Sequence, residues 1–424
     1  MDEIRTRIRL YDANSRRGMF PTNALSTEAF CNPHLFDILH LVRSKVPAEL
    51  FRITTNGVSL TEGVIARLLD LKPIQICLSI NTVNPKLREN IMRDANPHVA
   101  VNAPRLLRAY GIPFQGSIVA WPALFDNIAE TVRLLDEHEA LVIRINLPGY
   151  SRYFRPPPTG IDASYWQRVV ELADRLREQC RSPIYLPPVL FSMPHNRPVI
   201  AGVLRNSPAE RAGLRYGDEI KAVQGKPVVS RPHAAHLLAD AIAAGQPRIA
   251  LSVRTVDTER VVVMLRTAPT DDLYPYRPLG YSETEALMGI LLPGGFKLSY
   301  IKRLRDVADW HGARRVAVIS SYLVKPLLEE ALTAVGDRDL IERVTILCPR
   351  NEYLGGNIML GDLLQVSDYI TCLREHQLER PDLVVIPSSF ARGWGRDLCG
   401  VSYLEIERAT GIPVELLPCE RIFM

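Results

Sequence analysis

The chain has 424 residues, 47% hydrophobic and 23% charged, with a formal net charge of +4. That length exceeds one ordinary core and the composition is that of a globular protein. The small charge, with no basic stripe or aromatic RNA motif, argues against a nucleic-acid partner. No apolar run reaches the roughly 18 residues of a membrane helix, so no membrane partner is expected. The opening stretch MDEIRTRIRLYD lacks the apolar segment of a secretory signal, which predicts a cytoplasmic protein. The seven cysteines, Cys31, Cys77, Cys180, Cys348, Cys372, Cys399 and Cys419, form no CxxC pair. They read as reduced thiols, and no metal ligands are picked out.

Residues 1–165 alternate strand-like and helix-like runs. Strands are predicted at GMFPTNAL (18–25), LFRITT (50–55), IQICLSI (74–80), FQGSIVA (114–120) and LVIRINL (141–147). Between them, Leu35, Ile38, Leu39 and Val42 keep the spacing of a one-sided helix. This alternation predicts a parallel α/β sheet, either open or part of a barrel. In such sheets ligands gather at the C-terminal strand ends. Here those ends are Ser26-Thr27-Glu28, Thr54-Thr55-Asn56-Gly57, Ser79-Ile80-Asn81 and Asn146. Small polar residues also cap helices, so a polar ligand and plain capping are both open readings.

Three of these stretches, STEAFCNPHLF, TTNG and LSINTVNPKLRENIMR, resemble in order and spacing the motifs of radical S-adenosylmethionine barrels. Ser26-Thr27-Glu28-Ala29 stands where that family has GGEP. The resemblance implies an α/β fold with a partial (β/α)6 barrel that binds S-adenosylmethionine. Glu28 would face the methionine ammonium. Thr54, Thr55, Asn56, Gly57, Ser79 and Asn81 would lie around the ribose hydroxyls and the methionine carboxylate. The family also carries a [4Fe–4S] cluster on CxxxCxxC ahead of the GGEP position. No cysteine precedes Cys31, so the ligands of that cluster are not present in this chain. Either the protein begins earlier, with its first strand and cluster loop upstream, or the barrel has lost its cluster.

Proline-rich stretches at 152–160 and 183–198 flank a helical run, and residues 166–196 read as a helical linker. The next segment, 197–268, contains Asn206-Ser207-Pro208-Ala209, Ala212-Gly213-Leu214 and Gly217-Asp218 in order. It resembles a small PDZ β-domain of the protease-associated kind. The resemblance implies capture of a protein or peptide C-terminus as an added strand on Val199, Ile200, Ala201, Gly202, Val203 and Leu204. A spacer role for this domain stays open. Residues 284–424 alternate again and read as a C-terminal α/β domain. NEYLGGNIMLGDLL, DLVVIPSSFAR and LEIERATGIPVELL resemble a domain of unknown function in bacterial iron–sulfur oxidoreductases that also carry PDZ and radical S-adenosylmethionine modules.

The expected function is a radical S-adenosylmethionine-type iron–sulfur oxidoreductase, truncated or degenerate, acting with a peptide partner. The rivals are a non-catalytic peptide-binding scaffold and a cluster-free enzyme using S-adenosylmethionine in polar methyl transfer. No catalytic residue is singled out.

Overall fold

The computed structural model describes residues 1–11, 28–48, 50–255, 258–266, 285–293, 298–376, 380–387 and 395–417. The expected strand at 18–25 and the Ser26-Thr27 pair lie outside the described residues.

The first unit runs α1 (Asp2–Leu10), α2 (Leu35–Lys45), β1 (Phe51–Thr55), α3 (Glu62–Leu69), β2 (Ile74–Ser79), α4 (Pro85–Leu87), α5 (Pro97–Ala109), β3 (Phe114–Val119), α6 (Ile128–Glu137), β4 (Ile143–Asn146), α7 (Ala163–Gln179), β5 (Ile184–Tyr185) and α8 (Val189–Ser192). Its strands form one parallel sheet in the order β1-β2-β3-β4-β5. Strand order that never reverses sends every crossover the same way, which is the rule of a β/α barrel rather than of a doubly wound sheet. The residues expected as a linker include most of α7 and all of β5. Tyr165, Trp166, Val169, Ala173 and Leu176 of α7 are buried in the same core as Ile76 and Ile143. β5 is only two residues long and is framed by prolines, which disguises it in the sequence.

The middle unit comprises β6 (Gly202–Val203), α9 (Pro208–Arg211), β7 (Glu219–Val223), β8 (Lys226–Pro227), α10 (Arg231–Ala243), β9 (Arg248–Arg254), β10 (Glu259–Leu265) and the hairpin β11 (Glu285–Leu287) and β12 (Ile290–Leu292). Ser207 caps α9 by accepting from Glu210 N, with Pro208 in the first turn. The hairpin falls within the stretch expected to open the C-terminal domain. Instead Met288, Ile290 and Leu292 pack with Ile200, Ile220 and Leu251, and β12 pairs with β6.

This pairing bears on the expected peptide site. Ala201 N donates to Leu291 O and Leu204 N to Gly289 O, while Ile200 N donates to Asp218 O and Val199 bridges Glu219. Residues 199–200 thus pair with 218–219 on one side and residues 201–204 with β12 on the other, and among the described residues β6 is an edge strand of its sheet. β12 therefore occupies one side of β6 within the expected peptide-accepting stretch Val199–Leu204.

The third unit runs α11 (Leu298–Trp310), β13 (Val316–Ile319), α12 (Lys325–Val335), α13 (Arg338–Arg343), β14 (Val344–Leu347), α14 (Val366–Glu375), β15 (Leu383–Pro387), α15 (Leu404–Thr410) and β16 (Val414–Leu417). Its parallel sheet has the order β14-β13-β15-β16, which reverses at β13 and makes it doubly wound.

The NEYLGGN stretch joins this unit to the first. Arg152 N donates to Leu354 O at 2.7 Å, Asn357 N to Tyr150 O at 3.1 Å, and Asn357 Oδ1 accepts from Tyr150 N at 2.8 Å. Gly355 and Gly356 have φ of +59° and +64°, and a Cβ on Gly356 would lie 2.0 Å from Tyr150 O. Both the turn and the close backbone approach require glycine there. Gly356→Ala should destabilise the protein by at least about 1–2 kcal/mol, the penalty for the left-handed backbone alone. Urea denaturation followed by tryptophan fluorescence measures it. An unchanged midpoint would mean that the loop is not docked this way.

Candidate functional site

The register gives the first sheet two faces of opposite chemistry. Ile53 sits beside Ile76, Ile76 beside Phe114, Ile118 beside Ile145, and Ile143 beside Ile184. These residues are buried in one cluster with the apolar sides of α5, α6 and α7. The alternate positions carry Arg52 beside Gln75, Thr54 beside Cys77, Cys77 beside Gln115, Ser79 beside Ser117, and Ser117 beside Arg144. Sheets of parallel strands are ordinarily apolar on both faces. Here the face away from the helix core is polar along its length.

At the C-terminal rim, Glu28 is tied to the end of β1. Its Oε1 accepts from Thr55 Oγ1 and its Oε2 from Asn56 N, both at 2.7 Å. Oε1 also accepts from Phe30 N at 3.4 Å, so the further lone-pair capacity toward a ligand is on Oε2. Thr54 and Thr55, adjacent in sequence, part company here. Thr55 is 1% exposed, and its hydroxyl serves Glu28 and accepts from Gly57 N. Thr54 belongs to the polar face, with Cys77 next to it. Burial pushes the Cys77 thiol up, and nearby Arg144 and the Thr54 hydroxyl pull the other way.

Asn56 Oδ1 accepts from Val58 N at 3.1 Å, closing a turn. The helix that follows is capped by Thr61, so Asn56 is not its N-cap. Gly57 has φ of +86°, and a Cβ there would approach Leu78 Cδ1 to 2.8 Å. Packing therefore accounts for this glycine without any ligand. Ser79 is half-buried on the polar face. Asn81, in a left-handed conformation at φ +49°, accepts from Val119 N at 2.8 Å and so fixes the end of β3. Asn146 Nδ2 donates to Ser117 Oγ and Ile118 O, both at 3.0 Å.

The sequence reading missed Arg88. It is fully buried, and its guanidinium donates to the carbonyls of Ile80 and, at 3.0 Å, Asn56, with Thr82 O at 3.3 Å. Asp94 supplies the countercharge at 2.5 Å. A π-helical turn, Arg88–Met92, ends in Arg93 at φ +56° and brings Asp94 back to Arg88. Burial lowers the pKa of the Arg88 guanidinium and Asp94 opposes this. The signal in the sequence was Arg88 within NPKLRENIMRD, followed six positions later by a carboxylate, but nothing local indicates that its partners are carbonyls of two strand ends.

The described residues do not fit an iron–sulfur cluster. Among the described residues no group of three His, Cys, Asp or Glu side chains could hold a metal ion, and the described cysteines are free. Among the described residues, no helix is long and apolar enough to cross a membrane.

Arg88→Leu should strip the carbonyls of Asn56 and Ile80 of a donor and leave Asp94 buried without a countercharge. A loss of about 3–5 kcal/mol is expected, measured by urea denaturation. A loss below about 1 kcal/mol would show that the rim does not depend on this clamp.

No curated protein matches the chain. Similar solved structures include SuiB from Streptococcus suis bound to S-adenosylmethionine, with 16% identity over 38% of this chain and 37% of that one and a TM-score of 0.33. Another is native anSMEcpe with bound AdoMet, with 14% identity over 43% of this chain and 52% of that one and a TM-score of 0.31. The chain thus spans between about a third and a half of the length of these structures. Residues 2–135 match the model of the Radical SAM superfamily and carry a domain of that kind.

Proposed function

We propose that the first unit binds S-adenosylmethionine at the C-terminal rim of its sheet and belongs to an enzyme of the radical S-adenosylmethionine type. The observation that carries this is the ordered rim of Glu28, Thr54, Asn56 and Ser79 on a non-reversing parallel sheet, within the segment that matches the superfamily. A carboxylate with spare lone pairs suits the methionine ammonium. Hydroxyl and amide groups suit the ribose and the methionine carboxylate. The cofactor would supply its sulfonium chemistry when bound. The chain's own part is to orient it: Arg88 holds the ends of β1 and β2 together, and Glu28 fixes the β1 end from the other side.

A PDZ-type middle unit that engages a protein or peptide partner remains part of this reading, supported by the capped Ser207-Pro208 helix and the Gly217-Asp218 turn. The proposed contact surface is the stretch 199–204, where among the described residues β6 is an edge strand of its sheet. The non-catalytic scaffold is the alternative, and it gains if the rim binds no cofactor.

The two threonines provide the test. Thr54→Val keeps the shape and removes a hydroxyl from the polar face. It should weaken S-adenosylmethionine binding by up to about tenfold, the equivalent of a single hydrogen bond, with little change in melting temperature. Thr55→Val should leave binding within about threefold but cost about 1–3 kcal/mol, because Glu28 loses a buried donor. Isothermal titration and thermal melting of both variants beside the parent read the result. If the parent does not bind S-adenosylmethionine, or if Thr54→Val changes stability alone, the rim is structural and the scaffold reading stands.

A further inference from the structure

The loops on the C-terminal side of the first sheet carry exposed aromatic surface. Trp121 lies two residues beyond β3, and Tyr153 and Phe154 lie in the loop that follows β4. Phe154 stacks on Trp121, with ring centroids 5.8 Å apart and an interplanar angle of 23°. Tyr153 is 59% exposed and Phe154 49%. The Arg152 guanidinium lies 5.0 Å from the centre of the Tyr153 ring and donates to the Tyr153 hydroxyl at 2.9 Å. The third unit extends this patch. Its Tyr353, 40% exposed, has its hydroxyl pKa raised first by the Cys399 thiol beside it and then by Tyr153.

Single exposed aromatics need no explanation, but a contiguous patch of Trp, Tyr, Phe and Arg has the composition of a protein interface. The patch is also fixed in place. Asn357 bonds Pro148 O and both backbone groups of Tyr150, and Leu354 O accepts from Arg152 N. A partner meets a surface that is already ordered, which lowers the cost of binding. Its charge is one-sided. Between Glu139 and Asp162 the sequence has no carboxylate, while Arg152 and Arg155 flank Tyr153 and Phe154 and are exposed. Tyr153 first, and then Glu352 and Tyr353, hold the Arg152 pKa up, which places one carboxylate of the third unit near the patch.

We propose that this surface docks an acidic peptide segment that carries aromatic side chains, alongside the rim of the first sheet. Arg152 and Arg155 pair with its carboxylates, and Tyr153, Phe154 and Tyr353 receive its rings. A single-stranded nucleic acid fits less well. Its bases need open ring faces, whereas Trp121 and Phe154 face each other, and Glu352 would repel a phosphate. The surface uses none of residues 199–204 and does not depend on the cofactor reading of the rim.

The probe is an acetylated and amidated peptide, Gly-Ser-Glu-Phe-Asp-Glu-Tyr-Ser-Gly, titrated calorimetrically into the full chain. Its blocked C-terminus removes any carboxylate capture by the middle unit. It should bind at least about tenfold more tightly than three controls: the analogue with Lys at each acidic position, the analogue with Ala at both aromatic positions, and single-stranded oligouridylate. Tyr153→Ala, Phe154→Ala and Arg155→Glu should each weaken it by about tenfold. Their melting temperatures should stay near the parent's, because the three side chains are exposed. Trp310 is 86% exposed at the end of α11, which leads into the N-terminal end of β13, so Trp310→Ala should leave binding unchanged. No binding to the parent, equal binding of the lysine analogue, tighter binding of oligouridylate or an equal loss in the Trp310 variant would each overturn the proposal. So would Tyr153 and Phe154 variants that bind as the parent does.

Discussion

Arg88 is enclosed without any exposed surface, and a guanidinium in that position can persist only if its donors and its charge are both met. It donates to the carbonyls of Asn56 and Ile80, the residues that follow β1 and β2, and pairs with Asp94. The rim is built outward from that clamp. With Asn56 O held from one side and Asn56 N held by Glu28 from the other, the backbone at the end of β1 has little freedom. The polar side chains beside it inherit fixed positions. A rim of small flexible residues would otherwise carry a large ordering penalty whenever a ligand bound.

The same sheet has to bury enough surface to support that arrangement, and it does so on one face only. Because the strand order never reverses, the helices collect on the side of Ile53, Ile76, Phe114 and Ile143. The opposite side is left free of the requirement to be apolar. Gly116 shows how tight the helix side is: a Cβ there would come within 2.4 Å of Leu135 on α6. The polar side carries Gln75 with its amide unmet, a local conflict that natural sequences retain mostly where function requires it. Stability is thus supplied by one face, and polar side chains are gathered on the other.

Much of this division was legible in the sequence. IQICLSI alternates Gln75, Cys77 and Ser79 with Ile74, Ile76 and Leu78, and the period of two alone assigns them to opposite faces. The same rule separates Thr54 from Thr55, although the family resemblance implies both at the ligand. Other features were hidden for physical reasons. β5 is too short and too proline-framed to show a strand pattern. The hairpin β11–β12 completes the middle core, yet its partner β6 lies far away in sequence, beyond the reach of any local pattern. That distant pairing covers one side of β6. Arg88 was invisible because carbonyl partners leave no mark in a sequence.

The glycines of NEYLGGN connect these levels. Without the fold, Gly355-Gly356 is only a tight turn. In the fold, the loop lays Leu354 O and Asn357 against residues 148–152, which begin just after the rim residue Asn146. Asn357 Nδ2 also donates to Pro148 O at 2.8 Å, so one asparagine side chain and two backbone bonds fix the strand-end loop of β4. The loop that follows a strand in such a sheet is the natural cover of its ligand end. In this chain that loop is held by the third unit rather than left to its own contacts. The third unit therefore constrains the end of the sheet where the polar face opens, and a change in its docking would be felt first at Asn146 and, through the Asn146–Ser117 bond, along the polar face.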